Sequence, residues 1–360
     1  MSIHFHPLAV KEVKKETADC VSILFRVPEA LQKTFQFTQG QSLTMRTIIN
    51  GEEVRRTYSI CSSPLEQELR VAVKKVTGGA FSIFANEQLQ AGDVLEVMPP
   101  IGRFNTMLDA GNKKHYVAFA AGSGITPLLS IIKTTLAAEP QSSFTLVYGN
   151  RNRSSIIFFE ELEGLKNKFI DRFNLIHILS REKTESDLNF GRISKEKCSL
   201  LFNRLLNIET ADEFFICGPE EMIFTVKEFL ETKKVDEKKI HFELFTTPGQ
   251  SKKYEVRSTK YEEDGPQSNI TVRLDGRSFD FTIPLNSDTT ILDAAMQQGA
   301  DVPYACKGGV CCTCKARLLQ GEVKMDVHWG LEQEEIEQGY ILTCQSHPVS
   351  EKVVVDFDVK

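Results

Sequence analysis

A chain of 360 residues with 41% apolar residues is long enough for two or three domains, each with a packed core. The formal charge of −6 is unevenly carried: residues 269–360 hold 8 Lys and Arg against 14 Asp and Glu, and the remainder balances at 35 of each. That distribution speaks against nucleic acid as a partner. It leaves an acidic C-terminal face that either docks on a basic protein or is ordinarily solvated.

No run approaches membrane-spanning length. The opening Met-Ser-Ile-His-Phe-His has neither the basic nor the apolar stretch of a secretion signal. Nine cysteines in such a chain point to a reducing, cytoplasmic setting and to thiolate ligands.

Residues 1–110 read as short strands rich in β-branched and aromatic residues: Ile3 to Val13, Thr17 to Val27, Ser42 to Ile49, Arg70 to Val76 and Val94 to Met98. Only Phe81 to Glu87 has a helical pattern. An all-β barrel or sandwich is expected.

Residues 111–248 alternate strand and helix. The strands are Tyr116–Ala121, Phe144–Tyr148, Phe173–Leu179 and Glu213–Cys217. The helices are Leu128–Leu136, Phe158–Lys166, Lys195–Leu206 and Pro219–Glu231. Alternation of this kind predicts a parallel, doubly wound α/β domain. Residues 249–268, charged and punctuated by Gly and Pro, read as a linker. Residues 269–360 predict a small α+β unit: strands Ile270–Leu274 and Phe279–Pro284, a helix Ile291–Gln298, a cysteine loop, and a short strand Tyr340–Cys344.

That loop carries the sharpest motif. Cys306, Cys311, Cys314 and Cys344 have the C-x4-C-x2-C…C spacing of a plant-type [2Fe–2S] site. Gly308 and Gly309 let the backbone curl so that amides face the sulfurs. Zinc, which usually takes two C-x2-C pairs, and a disulfide set are the competing readings. Cys312 is a spare thiol in the loop, able to exchange as a ligand or simply to pack.

Three further motifs are weaker alone. Gly122-Ser123-Gly124 between a strand and a helix suits a phosphate, which free helix N–H groups would hold. Cys217-Gly218-Pro219 closes a later strand at the same expected sheet edge. Arg56-Thr57-Tyr58-Ser59 combines a pyrophosphate donor, a stacking ring and a hydroxyl, and is otherwise surface decoration.

Together, Arg56-x-Tyr58-Ser59 in a β-barrel, Gly122-Ser123-Gly124-Ile125-Thr126-Pro127 and Cys217-Gly218-Pro219 resemble the ferredoxin–NADP⁺ reductase superfamily. The C-terminal part resembles plant-type ferredoxin, a β-grasp fold. The fused order is similar to the reductase components of multicomponent oxygenases, and the resemblance spans essentially the whole chain.

The resemblance implies FAD, NADPH and a [2Fe–2S] cluster, with a di-iron oxygenase as the electron acceptor. Arg56 would bind the FAD pyrophosphate, Tyr58 would stack on the flavin, and Ser59, followed by Ile60, would approach its N5. Val73 and Lys75 would line the ribityl side, and Gly79 and Ser82 would open the helix that receives the pyrophosphate. Gly122, Ser123, Gly124 and Thr126 would hold NADPH, Cys217 would face the nicotinamide, and Gly218 and Pro219 would also bind the cofactor. Ser180 and Arg181, helped by Arg151, would receive the 2′-phosphate. Glu243 and Phe245 resemble the acidic and aromatic residues near the flavin. Ser59, Cys217 and Glu243 are thereby the expected residues at the reacting ring, and Cys306, Cys311, Cys314 and Cys344 the metal ligands. A standalone diaphorase or flavin reductase, and a zinc-stabilised interaction module, are the alternatives.

Overall fold

The computed structural model describes residues 4–184, 186–245, 266–285 and 287–359. These form two compact units, one drawn chiefly from His6–Leu244 and the other chiefly from the C-terminal residues.

The first unit begins with a six-stranded antiparallel sheet. Its strands are β1 (His6–Thr17), β2 (Cys20–Arg26), β3 (Ser42–Ile49), β4 (Glu52–Ser59), β5 (Leu69–Lys74) and β6 (Val94–Val97), in the order β4-β3-β6-β1-β2-β5. A bridge between Ile60 and Val71 brings the two ends together. Leu8, Ile23, Leu43, Met45, Val71 and Val73 fill the interior. Helix α1 (Ala80–Glu87) adds Phe81 and Ala85 to that core.

Strand β4, which carries Arg56–Ser59, is missing from the strands expected from the sequence. Its signal is the pair Asn50-Gly51, both left-handed (φ 53° and 83°), the turn chemistry that favours a tight hairpin.

A parallel five-stranded sheet follows, in the order β11-β10-β7-β8-β9. The run is β7 (His115–Ala121), α2 (Ile125–Ala138), β8 (Ser143–Asn150), α3 (Phe159–Lys168), β9 (Phe173–Leu179), α4 (Lys195–Arg204), β10 (Glu213–Cys217), α5 (Glu220–Thr232) and β11 (Ile240–Glu243). The doubly wound expectation holds, with one more strand, β11, than the sequence reading. Strand order reverses between β7 and β10, the point at which such sheets bind ligands.

Helix α2 starts earlier than expected. Pro127 lies in its first turn, where a missing N–H costs nothing. The helix is buried over most of its circumference, polar residues included. Its polar side chains grip the barrel: Ser130 Oγ donates to the Ser62 carbonyl at 2.6 Å, Thr134 and Ser63 share a 2.9 Å bond, and Lys133 Nζ pairs with Glu66 at 2.7 Å.

The second unit is a mixed sheet in the order β13-β12-β18-β14-β16. It comprises β12 (Gln267–Leu274), β13 (Arg277–Pro284), α6 (Ile291–Gln297), β14 (Lys315–Gln320), β15 (Val323–Met325), α7 (Gln333–Glu337), β16 (Tyr340–Leu342), β17 (Ser346–Pro348) and β18 (Lys352–Asp356). Strands β12 and β18 run parallel, and β15 pairs with β17 apart from the main sheet. Helix α6 packs Ile291, Leu292 and Ala295 into a core with Val272, Ile283, Val353 and Val355. Gln267 and Ser268, counted with the linker in the sequence reading, already belong to β12; residues 249–265 lie outside the described residues.

Candidate functional site

The end of β4 meets the end of the parallel sheet. Ser59, buried at the last position of β4, donates its hydroxyl to Glu243 Oε2 at 3.1 Å. Glu243 ends β11, and in the ladder it stands opposite Cys217, the last residue of β10. Burial pushes the Glu243 carboxyl up to about 7, against the pull of the Ser59 hydrogen bond. Burial, and then the Glu243 charge, push the Cys217 thiol well above its ordinary value. The three residues named for the reacting ring thus converge, with a carboxyl poised to hold or release a proton near neutrality.

Around them the barrel supplies Tyr58, half-buried, whose ring lies 5.5 Å from that of Phe81. Ile60 is fully buried, and its amide bonds to the Gln41 carbonyl at 2.8 Å. Arg56 is exposed and donates to the Arg55 carbonyl at 2.7 Å. Val73 is inside the barrel core. Lys75 is exposed, and its ammonium pairs with Glu87 of α1 at 3.2 Å. Gly79 caps α1, and a Cβ there would lie 2.5 Å from Ser82 Oγ. That hydroxyl accepts from the Val76 amide and donates to the Gly79 carbonyl, closing the turn.

On the nucleotide side the turn after β7 is shaped by glycine for two separate reasons. Gly122 is left-handed (φ 54°), and Tyr148 Oη donates to its carbonyl at 2.9 Å. Gly124 lies against β10 so closely that a Cβ would stand 2.0 Å from the Cys217 carbonyl oxygen. Thr126 Oγ1 donates to the Ser123 carbonyl at 3.0 Å. Gly218 also fits tightly, a Cβ there meeting the Ala121 amide at 3.1 Å, and Pro219 caps α5.

Two residues here escaped the sequence reading. Lys74 Nζ would lie 3.7 Å from a Cβ on Gly122, which the alternation along β5 could have suggested. Asn150, at the end of β8, is buried, and its Nδ2 has no hydrogen-bond partner among the described residues.

Farther along the same edge, the Ser180 amide bonds to the Asn150 carbonyl at 2.9 Å and the Arg181 amide to the Arg151 carbonyl at 2.8 Å. These backbone bonds set Arg151 and Arg181, both exposed, side by side. Elsewhere, a hollow of ≈ 380 Å³ is lined by charged residues, among them the ion pair of Lys133 with Glu161, and by none of the residues above.

In the C-terminal unit the four expected ligands stand as two contacting pairs, Cys306 with Cys311 and Cys314 with Cys344. The Cys306 thiol is pushed down to about 6. The Cys311 thiol is the main cause, and the amides of Gly308, Val310 and Cys311 add to it. The Gly308 amide donates to Cys306 Sγ at 3.2 Å, the inward-facing geometry the glycines allow. Cys344 departs from the sequence reading: β16 stops at Leu342, and Cys344 sits in a 3-10 turn, Thr343–Gln345. Thr343 bonds that turn to Cys314 through both its amide and its Oγ1, at 3.2 and 3.0 Å, so the fourth thiol reaches the third.

Two thiols for each of two irons is the donor set a [2Fe–2S] cluster needs, and the residues fit it. Cys312 is left-handed (φ 54°) and its thiol donates to the Gly330 carbonyl. All nine cysteines are free thiols. Phe245 is 41% exposed.

Comparison with known proteins agrees with this layout. Three family models match in series: an oxidoreductase FAD-binding domain at residues 7–106, an oxidoreductase NAD-binding domain at 119–228, and a 2Fe-2S iron-sulfur cluster binding domain at 272–349, which spans all four paired cysteines. The chain is 48% identical over 357 residues to one of the subunits of the 1,2-phenylacetyl-CoA epoxidase of Escherichia coli K12, covering 99% of this chain and 98% of that one. It is 33% identical to the "3-ketosteroid-9-alpha-monooxygenase, ferredoxin reductase component" of Rhodococcus rhodochrous, over 97% and 96% of the two chains. Among solved structures, phthalate dioxygenase reductase shares the fold at a TM-score of 0.58, covering 98% of both chains at 24% identity.

Proposed function

This chain belongs to the family of oxygenase reductase components that join FAD-, NAD- and [2Fe–2S]-binding domains in one polypeptide, and from that premise we propose that it passes electrons from NADPH through FAD and the cluster to the catalytic subunits of a phenylacetyl-CoA epoxidase. FAD supplies the step from a two-electron hydride to single electrons, and the cluster carries those electrons onward. The observation that carries the redox reading is the convergence of Ser59, Glu243 and Cys217 where the barrel meets the reversal point of the sheet.

The chain's own groups have distinct tasks in this reading. Tyr58 and Ser59 orient the flavin ring from the barrel side. Gly122 and Gly124 keep the turn free of side chains so that the NADPH pyrophosphate approaches the start of α2. Cys217, neutral because it is buried, packs against the nicotinamide. Glu243 holds a proton through Ser59 at the flavin edge. Arg151 and Arg181 form a cationic pair for the 2′-phosphate, which selects NADPH over NADH. Cys306, Cys311, Cys314 and Cys344 hold the cluster.

The epoxidase assignment rests on full-length likeness to the Escherichia coli protein. Nothing in these residues recognises an aromatic CoA ester, so the organic substrate binds the partner. The experiment combines this protein, NADPH, oxygen and phenylacetyl-CoA with the epoxidase catalytic subunits. Coupled product formation supports the reading. No product, together with efficient support of another oxygenase, would replace it.

A further inference from the structure

Gly122 begins the nucleotide turn in a left-handed conformation (φ 54°), and its carbonyl accepts twice. One donor is the Ile125 amide that opens α2, and the other is the Tyr148 hydroxyl at 2.9 Å. Tyr148 is fully buried in β8, opposite Ala120 of β7 and His177 of β9 in the ladders. Its ring lies 6.1 Å from that of His177. The phenol is thus anchored in the sheet, not in the turn it holds. Burial pushes its titration well above the ordinary value, so the oxygen keeps its proton and donates. The Ile157 amide lies near the same oxygen, which leaves that proton for Gly122.

A peptide unit is planar and trans, so its C=O and N–H point in opposite directions. Drawing the Gly122 carbonyl onto a buried phenol turns the Ser123 N–H the other way, out of the core. That N–H is among the first donors of the turn leading into α2, which have no carbonyl within the helix to bond. Gly122 and Ser123 are partly exposed, whereas Tyr148 beneath them is not. Tyr148 therefore shapes the turn without touching what binds there.

We propose that Tyr148 is a positioning residue for the dinucleotide: its hydroxyl fixes the Gly122–Ser123 peptide so that the Ser123 N–H is presented to a pyrophosphate oxygen. This rests on the nucleotide reading above and adds which buried group sets the turn.

Tyr148→Phe removes the hydroxyl and keeps the packed ring. The full-length, FAD-loaded variant is titrated by calorimetry with NADP⁺ and with NAD⁺. Binding of the dinucleotide that the wild type prefers should weaken about fivefold, the effect of losing one hydrogen bond. KM should rise by the same factor, with kcat at saturating coenzyme and FAD content unchanged. Gly122→Ala reaches the same peptide from the other side. Its methyl meets Lys74 Nζ at 3.7 Å, an ordinary contact, so its effect comes from the left-handed backbone. Because both variants act on one peptide, the double variant should bind within about twofold of the weaker single variant.

A lower Tm with unchanged dinucleotide affinity overturns the proposal and leaves Tyr148 a core residue. Strictly additive losses in the double variant overturn it as well, as does a fall in kcat at unchanged KM. A wild-type chain that takes up neither NADP⁺ nor NAD⁺ removes the nucleotide reading together with this one.

Discussion

Ser59 and Glu243 are 184 positions apart in the chain, yet the hydroxyl of one donates to the carboxyl of the other at 3.1 Å. One ends a barrel strand and the other ends an edge strand of the parallel sheet. Their contact joins the barrel to the parallel sheet at one site, and it leaves a mark on the pH response.

Glu243 ordinarily titrates at 4.5 and here at about 7. The unfolded chain therefore releases this proton first as pH rises. Its contribution to stability is fully present below about 4.5, falls as pH rises, and is lost above about 7. The loss amounts to about 3 kcal/mol across that window. Glu243→Gln should flatten the Tm profile between those values, and should remove an apparent pKa near 7 from the rate of flavin reduction by NADPH. A Tm profile as steep as that of the wild type would assign the pH response to another group.

Gly124→Ala should damage nucleotide binding selectively. The new methyl meets a backbone carbonyl at 2.0 Å, which no rotamer relieves. Overpacking of that kind costs about 1–3 kcal/mol, so KM for NADPH should rise about tenfold or more while FAD content is kept. Steady-state kinetics beside a flavin absorption spectrum checks both halves.

If Arg181 receives the 2′-phosphate as proposed, the wild type should prefer NADPH and Arg181→Ala should narrow that preference over NADH. A charge-assisted bond to phosphate contributes about 1.5–3 kcal/mol, so the ratio of kcat/KM values should fall about tenfold or more. An unchanged ratio, or a wild type with no preference for NADPH, would remove Arg181 from the proposed 2′-phosphate site.

Cys344→Ser should lose the cluster and keep FAD. NADPH–ferricyanide turnover survives, whereas cytochrome c reduction falls strongly. Because the Cys312 thiol is engaged with the Gly330 carbonyl, it should not substitute. A normal cluster spectrum in the variant would show that it does.

Much of this was legible in the sequence where chemistry constrains spacing. The four paired cysteines stand out because three must come from one tight loop. The glycines of 122–124 stand out because a backbone turn there admits no side chain. What stayed hidden depends on distant partners. Strand β4 contains Arg55 and Arg56 beside Glu52 and Glu53, so its composition reads as a loop, although Asn50-Gly51 marks the hairpin. Strand β11 is four residues long and owes its existence to pairing with β10. Cys344 reads as strand because Tyr340-Ile341-Leu342 is β-prone, while its 3-10 turn is made by Thr343 bonding back to Cys314.

The grip of α2 on the barrel through Ser130, Thr134 and Lys133 has a mechanical meaning. The helix whose first turn is proposed to receive the nucleotide is clamped to the layer that presents Ser59. On the proposed function, that clamp fixes the spacing at which the two reactants meet. Cycle after cycle, the spacing is inherited from the architecture, and thickening the solvent should leave the hydride step untouched.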